Sequence, residues 1–217
     1  KNSPFENGSK TMDQMVQFFD QRKLYQSNAK GTLDLIGLDL KPFDHIKRKL
    51  PILKVAFLDL AGEDIKGIKT SEGAVFTDKI NAVFNGIKVE NAPIVFILIT
   101  PFEPPRRDNE SSQNAHDRED TLHYDFLNYL DQNQPELLVN SKFIIVVSQW
   151  DKNPNPNLNV ESFIREKRPS IYNYVQNSSV VWGEYSIGKL LESNINGIRI
   201  QEIVRINHEY PSRLWNK

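Results

Sequence analysis

The chain has 217 residues, of which 39% are hydrophobic and 25% are charged, a composition typical of a globular protein with a buried core. Its formal net charge of -1 gives no overall positive field that would favour nucleic acid or anionic lipid. The absence of cysteine excludes disulfides and thiolate zinc sites, and no apolar run has membrane-spanning length, so we expect a cytoplasmic protein.

Hydrophobic spacing predicts helices that alternate with strands. A helix at 12–25 is followed by strands at 32–40 and 53–60, which have no helix between them and therefore predict an antiparallel hairpin. A helix at 70–85 leads into an apolar strand at 93–101, which we expect to be covered on both faces.

The second half of the chain continues this alternation after a polar segment at 103–120, which predicts a surface insertion. The remaining predictions are helix 121–138, strand 143–148, helix 160–176 interrupted at Pro169, strand 179–185 and a closing helix 198–210. Together the elements predict one α/β domain over residues 1–217, a three-layer sandwich with a mainly parallel sheet and one antiparallel hairpin.

Polar segments follow three of the predicted strands. They read DLAGED from Asp59, SQWDK from Ser148 and EYSIGK from Glu184. Because ligands of open α/β sheets bind beyond the carboxyl ends of the strands, these segments predict one ligand site. In their order and placement they resemble the Asp-x-x-Gly, Asn/Thr-Lys-x-Asp and Glu-x-Ser-Ala-Lys elements of the Ras-like P-loop GTPases.

The resemblance implies a guanine-reading role for SQWDK and EYSIGK. Asp151 would accept hydrogen bonds from the guanine N1–H and exocyclic amine, and Gln149 would pack its stem on the base in place of the family's lysine. Ser186 would shape the second loop, and the backbone N–H of Ile187 would reach the guanine O6. The alternative for Asp151 is a loop carboxylate that serves a turn.

The resemblance also implies a catalytic role for DLAGED. Asp59 would hold Mg²⁺ mostly through water, and Gly62 would offer its N–H to the γ-phosphate. Glu63 stands where many small GTPases have a glutamine that orients water, so we expect slow GTP hydrolysis. The alternative is a strand-end turn. Thr32 resembles the switch threonine that senses Mg²⁺ and the γ-phosphate.

The phosphate loop is the element that departs most from the family. Lys10 would contact the phosphates and Thr11 would ligate Mg²⁺, with Gly8 and Ser9 in the loop before the first helix. Ser9 replaces a glycine, however, and no strand precedes the loop, so we expect a first strand to be missing from the sequence. The alternative is an exposed loop with an ordinary helix cap.

Two hypotheses about function remain from these residues. The first is a guanine-nucleotide switch that binds GTP, GDP and Mg²⁺, hydrolyses GTP slowly and acts on a protein effector or regulator. The second is a nucleotide-free relative of the GTPases that serves as a scaffold for protein interactions, which the departures at Ser9, Gln149 and Glu63 favour. An ATP-binding relative is a third interpretation. Neither nucleic acid nor a membrane segment is expected.

Overall fold

A computed structural model describes residues 33–40, 53–60, 82–86, 93–139, 141–186, 188–195 and 198–206, together with single positions near the two ends of the chain. The chain divides into two compact units. The first contains Lys1–Gly67 and Leu191–Ile203, and the second contains Ile68–Leu190 and Val204–Lys217.

In the first unit, strand β1 (Leu33–Leu40) pairs antiparallel with strand β2 (Leu53–Leu60) along its whole length. Leu33 lies opposite Leu60, and Leu40 lies opposite Leu53. The two strands form a sheet of their own. The hairpin was predicted to belong to a mainly parallel sheet. Among the described strands, β1 and β2 pair only with each other, so that arrangement is not seen.

The second unit contains a parallel sheet of three strands in the order β3-β4-β5. The strands are β3 (Val95–Pro101), β4 (Lys142–Ser148) and β5 (Val180–Glu184). The mixed α/β class is thus as predicted. Alternate residues of β3 are partly exposed, with Val95 at 49% and Ile99 at 59% exposure, so the prediction that this strand is covered on both faces is wrong.

Four helices lie between these strands in the chain, and prolines set two of their boundaries. They are α1 (Ser112–Asn133), α2 (Pro135–Val139), α3 (Val160–Lys167) and α4 (Pro169–Val175). Both prolines occupy the first helical position, where the missing N–H costs no hydrogen bond. The predicted helices 121–138 and 160–176 are therefore each divided at a proline.

Helix α1 begins well before its predicted start. Ser111 caps it by accepting a hydrogen bond from the Asn114 N–H at 3.1 Å. The later part of the predicted insertion 103–120 is consequently helical and buries Ala115. The sequence did not show this because the helix also buries polar residues there, His116 and Asp120.

The predicted closing helix at 198–210 is wrong over most of its length. Residues Ile198–Ile206 form strand β7, which pairs with β6 (Gly188–Ile195) in a two-stranded sheet. Isoleucine and valine supply much of β7, and these β-branched side chains favour a strand. The intervening sequence Asn196-Gly197 is a hairpin signal that the apolar spacing alone does not reveal.

The predicted helices 12–25 and 70–85 are described only in part. Residues 13, 14 and 17 are helical, as are residues 82–86, and Gln21 lies in a turn. The other positions of these predictions lie outside the described residues. None of the helices described in the structure combines the length and apolar character needed to cross a membrane.

The core of the second unit lies between the parallel sheet and its helices. Ile145 and Val147 of β4 are fully buried, as are Leu127 and Leu130 of α1 and Ile164 of α3. This packing fixes the carboxyl end of β4, where one of the predicted ligand-binding segments begins.

Candidate functional site

The carboxyl ends of β4 and β5 lie side by side and are joined by backbone hydrogen bonds. The parallel register places Val147 beside Glu184. The Tyr185 N–H donates to the Val147 carbonyl at 2.9 Å, and the Trp150 N–H donates to the Tyr185 carbonyl at 3.1 Å. The segments SQWDK and EYSIGK, which are more than 30 residues apart in the sequence, are thus brought together at one end of the sheet.

The side chains of Asp151 and Ser186 meet at this junction. The Ser186 hydroxyl donates to Asp151 Oδ1 at 2.5 Å, and the Gly188 N–H donates to the same hydroxyl oxygen at 3.3 Å. Ser186 is buried at 2% exposure, whereas Asp151 is exposed. The serine therefore holds one carboxylate oxygen in place while the carboxylate stays open to solvent.

Gly188 has a backbone angle that explains why glycine occupies this position. Its φ of 125° lies in a region of backbone conformation that residues with a Cβ atom rarely adopt. This conformation accompanies the hydrogen bond from its N–H to Ser186. The glycine of EYSIGK therefore belongs to the structure that fixes the serine hydroxyl.

An aromatic cluster supports the turn that carries Asp151. Trp150 is buried at 8% exposure and begins the 3₁₀ turn Trp150–Lys152. Its ring makes edge contacts with Phe102 and Phe163, with centroid distances of 5.6 and 6.0 Å. Trp150 thus packs into the interior and anchors the turn.

The residue before this turn, Gln149, has a left-handed backbone with φ 59° and ψ 32°. Its side-chain oxygen Oε1 is buried and accepts no hydrogen bond from the part of the chain that the structure describes. On the exposed side of the turn, Lys152 forms an ion pair with Glu103 at 3.4 Å.

A buried arginine fixes the neighbouring end of β3. Arg168 has no exposed surface, and its Nε donates to Thr100 Oγ1 at 2.9 Å while Nη2 donates to the Pro101 carbonyl at 3.1 Å. Its Nη1 lies 2.5 Å from His116 Nδ1 and 2.8 Å from the Lys167 carbonyl. No motif in the sequence marks this group. Arg168 precedes a proline and is therefore kept away from the helical conformation, so it forms the junction between α3 and α4.

Residues near the C-terminus also lie beside the end of β5. Arg213 Nη1 donates to Glu184 Oε1 at 3.5 Å, and its guanidinium lies 5.5 Å from the Tyr210 ring centroid. Burial and the negative charge of Asp151 raise the pKa of Tyr210. No sequence pattern linked this segment to the site.

The other predicted site residues are not described in the same detail. Asp59 lies in β2 with its Cα opposite that of Asp34. The residues predicted to bind phosphate, Mg²⁺ and the guanine O6 lie outside the described residues: Gly8, Ser9, Lys10, Thr11, Thr32, Gly62, Glu63 and Ile187. Among the described side chains, no group of three or more His, Asp or Glu could hold a metal ion.

Comparison with protein-family models, with curated proteins and with solved structures finds no match to this chain. The interpretation of the site therefore depends on its own geometry and chemistry.

Proposed function

We propose that the chain binds a guanine nucleotide through Asp151 and hydrolyses GTP slowly in the presence of Mg²⁺. The observation that carries this proposal is the hydrogen bond between Ser186 and Asp151, because it joins two segments that were independently expected to read the base. A carboxylate with one oxygen fixed and the other accessible matches the two adjacent N–H donors of guanine.

The proposal extends to the rest of the fold and to the phosphate end of the nucleotide. We propose that the chain has the three-layer arrangement of a P-loop GTPase and that Lys10, Gly8 and Ser9 surround the phosphates. Thr11, Thr32 and Asp59 organise Mg²⁺, and Gly62 approaches the γ-phosphate. Glu63 makes hydrolysis slow because its carboxylate repels the phosphate, so that catalysis depends on positioning and on charge from Mg²⁺ or a partner.

The experiment that tests the proposal exchanges one oxygen of Asp151 for an amide nitrogen. In Asp151→Asn the Ser186 hydroxyl still has a carbonyl oxygen to which it can donate, so the amide NH₂ takes the place of the free oxygen. The amide NH₂ and the guanine N–H groups are then all donors, so no hydrogen bond forms between them. We expect fluorescent GDP to bind about 100-fold more weakly, and xanthosine diphosphate, which carries a C2 carbonyl, to bind more tightly.

The matched control is Asp108→Asn, which makes the same chemical change in an exposed loop. GDP, GTP and ATP are titrated with and without Mg²⁺ against the unchanged protein and both variants. Selective ATP binding, or GDP binding that Asp151→Asn leaves unchanged, would contradict the assignment of Asp151 to guanine.

A second candidate function is a nucleotide-free scaffold for protein interactions. It is favoured by Gln149 in place of the lysine and by Ser9 in place of a glycine. If the protein binds none of the three nucleotides at millimolar concentration, this second function replaces the first.

A further inference from the structure

Gln149 combines two energetically unfavourable features, and the first is its left-handed backbone conformation. Only Asn109 and Gln149 have positive φ among the described residues other than glycine. Asparagine tolerates the left-handed region because its short side chain can bond to the local backbone, whereas glutamine is not favoured there. The conformation is held from both sides, because the Ser148 carbonyl accepts from the Phe102 N–H and the Gln149 carbonyl accepts from the Lys152 N–H.

The second unfavourable feature is the buried Oε1 atom, which accepts no hydrogen bond from the residues that the structure describes. An amide oxygen can only accept a hydrogen bond, so Oε1 stays unpaired where no donor reaches it. Buried polar groups are almost always paired in folded proteins, so this exception calls for a reason.

The location of Gln149 supplies the reason. It lies two residues before Asp151 and directly before the turn whose Trp150 N–H is bonded to the segment that carries Ser186. Strained backbone and unpaired polar groups persist where a binding site requires them, and a ligand that pairs with the side chain offsets their cost. A side-chain amide can also rotate about its terminal bond without moving the backbone.

We propose that Gln149 determines base specificity in this site: its amide rotates out of the unpaired orientation and hydrogen-bonds to a polar atom of the base that Asp151 holds. This inference rests on the proposed nucleotide binding. It assigns to the amide group a role beyond the packing of the side-chain stem. The free protein therefore carries a cost at Gln149 that the bound nucleotide removes.

The test compares Gln149→Gly with Asn109→Gly, since both place glycine at a left-handed position. Glycine relieves the strained backbone at residue 149 and removes the unpaired oxygen, so we expect the melting temperature of the nucleotide-free protein to rise by roughly 2–4 °C. At the same time, we expect the Kd for fluorescent GDP to increase about tenfold. Asn109→Gly should leave the Kd for GDP unchanged, because Asn109 lies in an exposed loop.

A second variant, Gln149→Asn, keeps an amide and tolerates positive φ but is shorter by one methylene group. It should bind GDP as weakly as Gln149→Gly. An unchanged Kd in both variants, or a lower melting temperature for the nucleotide-free Gln149→Gly protein, would overturn the role of the amide while leaving nucleotide binding intact. If the unchanged protein does not bind GDP at all, the proposed function and this inference both fail.

Discussion

The position of the Asp151 carboxylate depends on a single hydroxyl group. Ser186 donates to Asp151 Oδ1 and accepts from the Gly188 N–H, so both interactions of the hydroxyl are directional. A hydrogen bond to a charged group stabilises more than one between neutral groups. The serine thus reduces the freedom of an otherwise exposed carboxylate before any ligand arrives, which is the condition for tight base recognition.

We expect Ser186→Ala to weaken GDP binding about tenfold, because an unrestrained Asp151 must be ordered when the base binds. Isothermal titration calorimetry measures the change. Ser178→Ala removes an exposed hydroxyl and serves as the control. Equal affinities for GDP in the Ser186→Ala and Ser178→Ala proteins would show that the hydrogen bond to Asp151 has no part in recognition.

At the scale of the elements, Arg168 connects a helix junction to the end of a strand. Its guanidinium bonds to Thr100 and Pro101 at the end of β3 and contacts His116 of α1. The same guanidinium lies 5.8 Å from the ring centroid of Phe163, which stacks on Phe102 at 4.9 Å. One buried side chain thus joins three elements next to the aromatic cluster beneath the Asp151 turn.

We expect Arg168→Lys to lower the free energy of unfolding by about 3 kcal/mol, because lysine keeps the charge but cannot make the forked set of hydrogen bonds. Buried polar partners are then left unpaired. Urea denaturation gives the value. Arg165→Lys is the matched control, since Arg165 is 59% exposed, pairs with Glu161 on the same helix and lies over the Tyr172 ring at the surface. It should change stability by less than about 0.5 kcal/mol. Equal losses in the two variants would contradict the structural role of Arg168.

Apolar runs in the sequence predicted the three parallel strands, but the same patterns missed a helix start at which polar side chains are buried. Strands β3, β4 and β5 were predicted at 93–101, 143–148 and 179–185, because runs such as FIIVV are rich in the β-branched and aromatic residues that favour strands. The start of α1 was missed because His116 and Asp120 face inward there, and a search for apolar spacing does not detect buried polar side chains. Asp120 accepts hydrogen bonds from the Ser170 and Ile171 N–H groups, a tertiary contact that no local pattern shows.

The candidate site was predictable to the extent that topology determines it. Parallel strands end at the same edge, so Asp151 and Ser186 were expected to be near each other, and they are. The left-handed backbone of Gln149 was not predictable, because nothing in its residue type favours that conformation. The roles of Asp59 and Lys10 toward phosphate and Mg²⁺ stay predictions.

At the scale of the whole molecule, the stability of the fold depends on keeping His116 neutral. Burial, followed by the positive charges of Arg168 and Lys167, lowers the pKa of His116 from 6.5 to about 4, while Asp117 and Glu103 oppose the shift. Between these two pH values the unfolded chain binds more protons than the native protein. Stability is therefore complete above pH 6.5 and decreases as the pH falls toward 4.

We expect the free energy of unfolding, measured in urea, to fall by up to about 3 kcal/mol between pH 6.5 and pH 4 because of this residue alone. Other groups titrate in the same range, so the measurement requires a variant that does not ionise. In His116→Asn an amide oxygen can replace Nδ1 as the acceptor for Arg168. The asparagine protein should lose less stability on acidification, and the difference between the two pH profiles isolates the histidine. Parallel profiles over this range would show that protonation of His116 does not limit the stability of the fold.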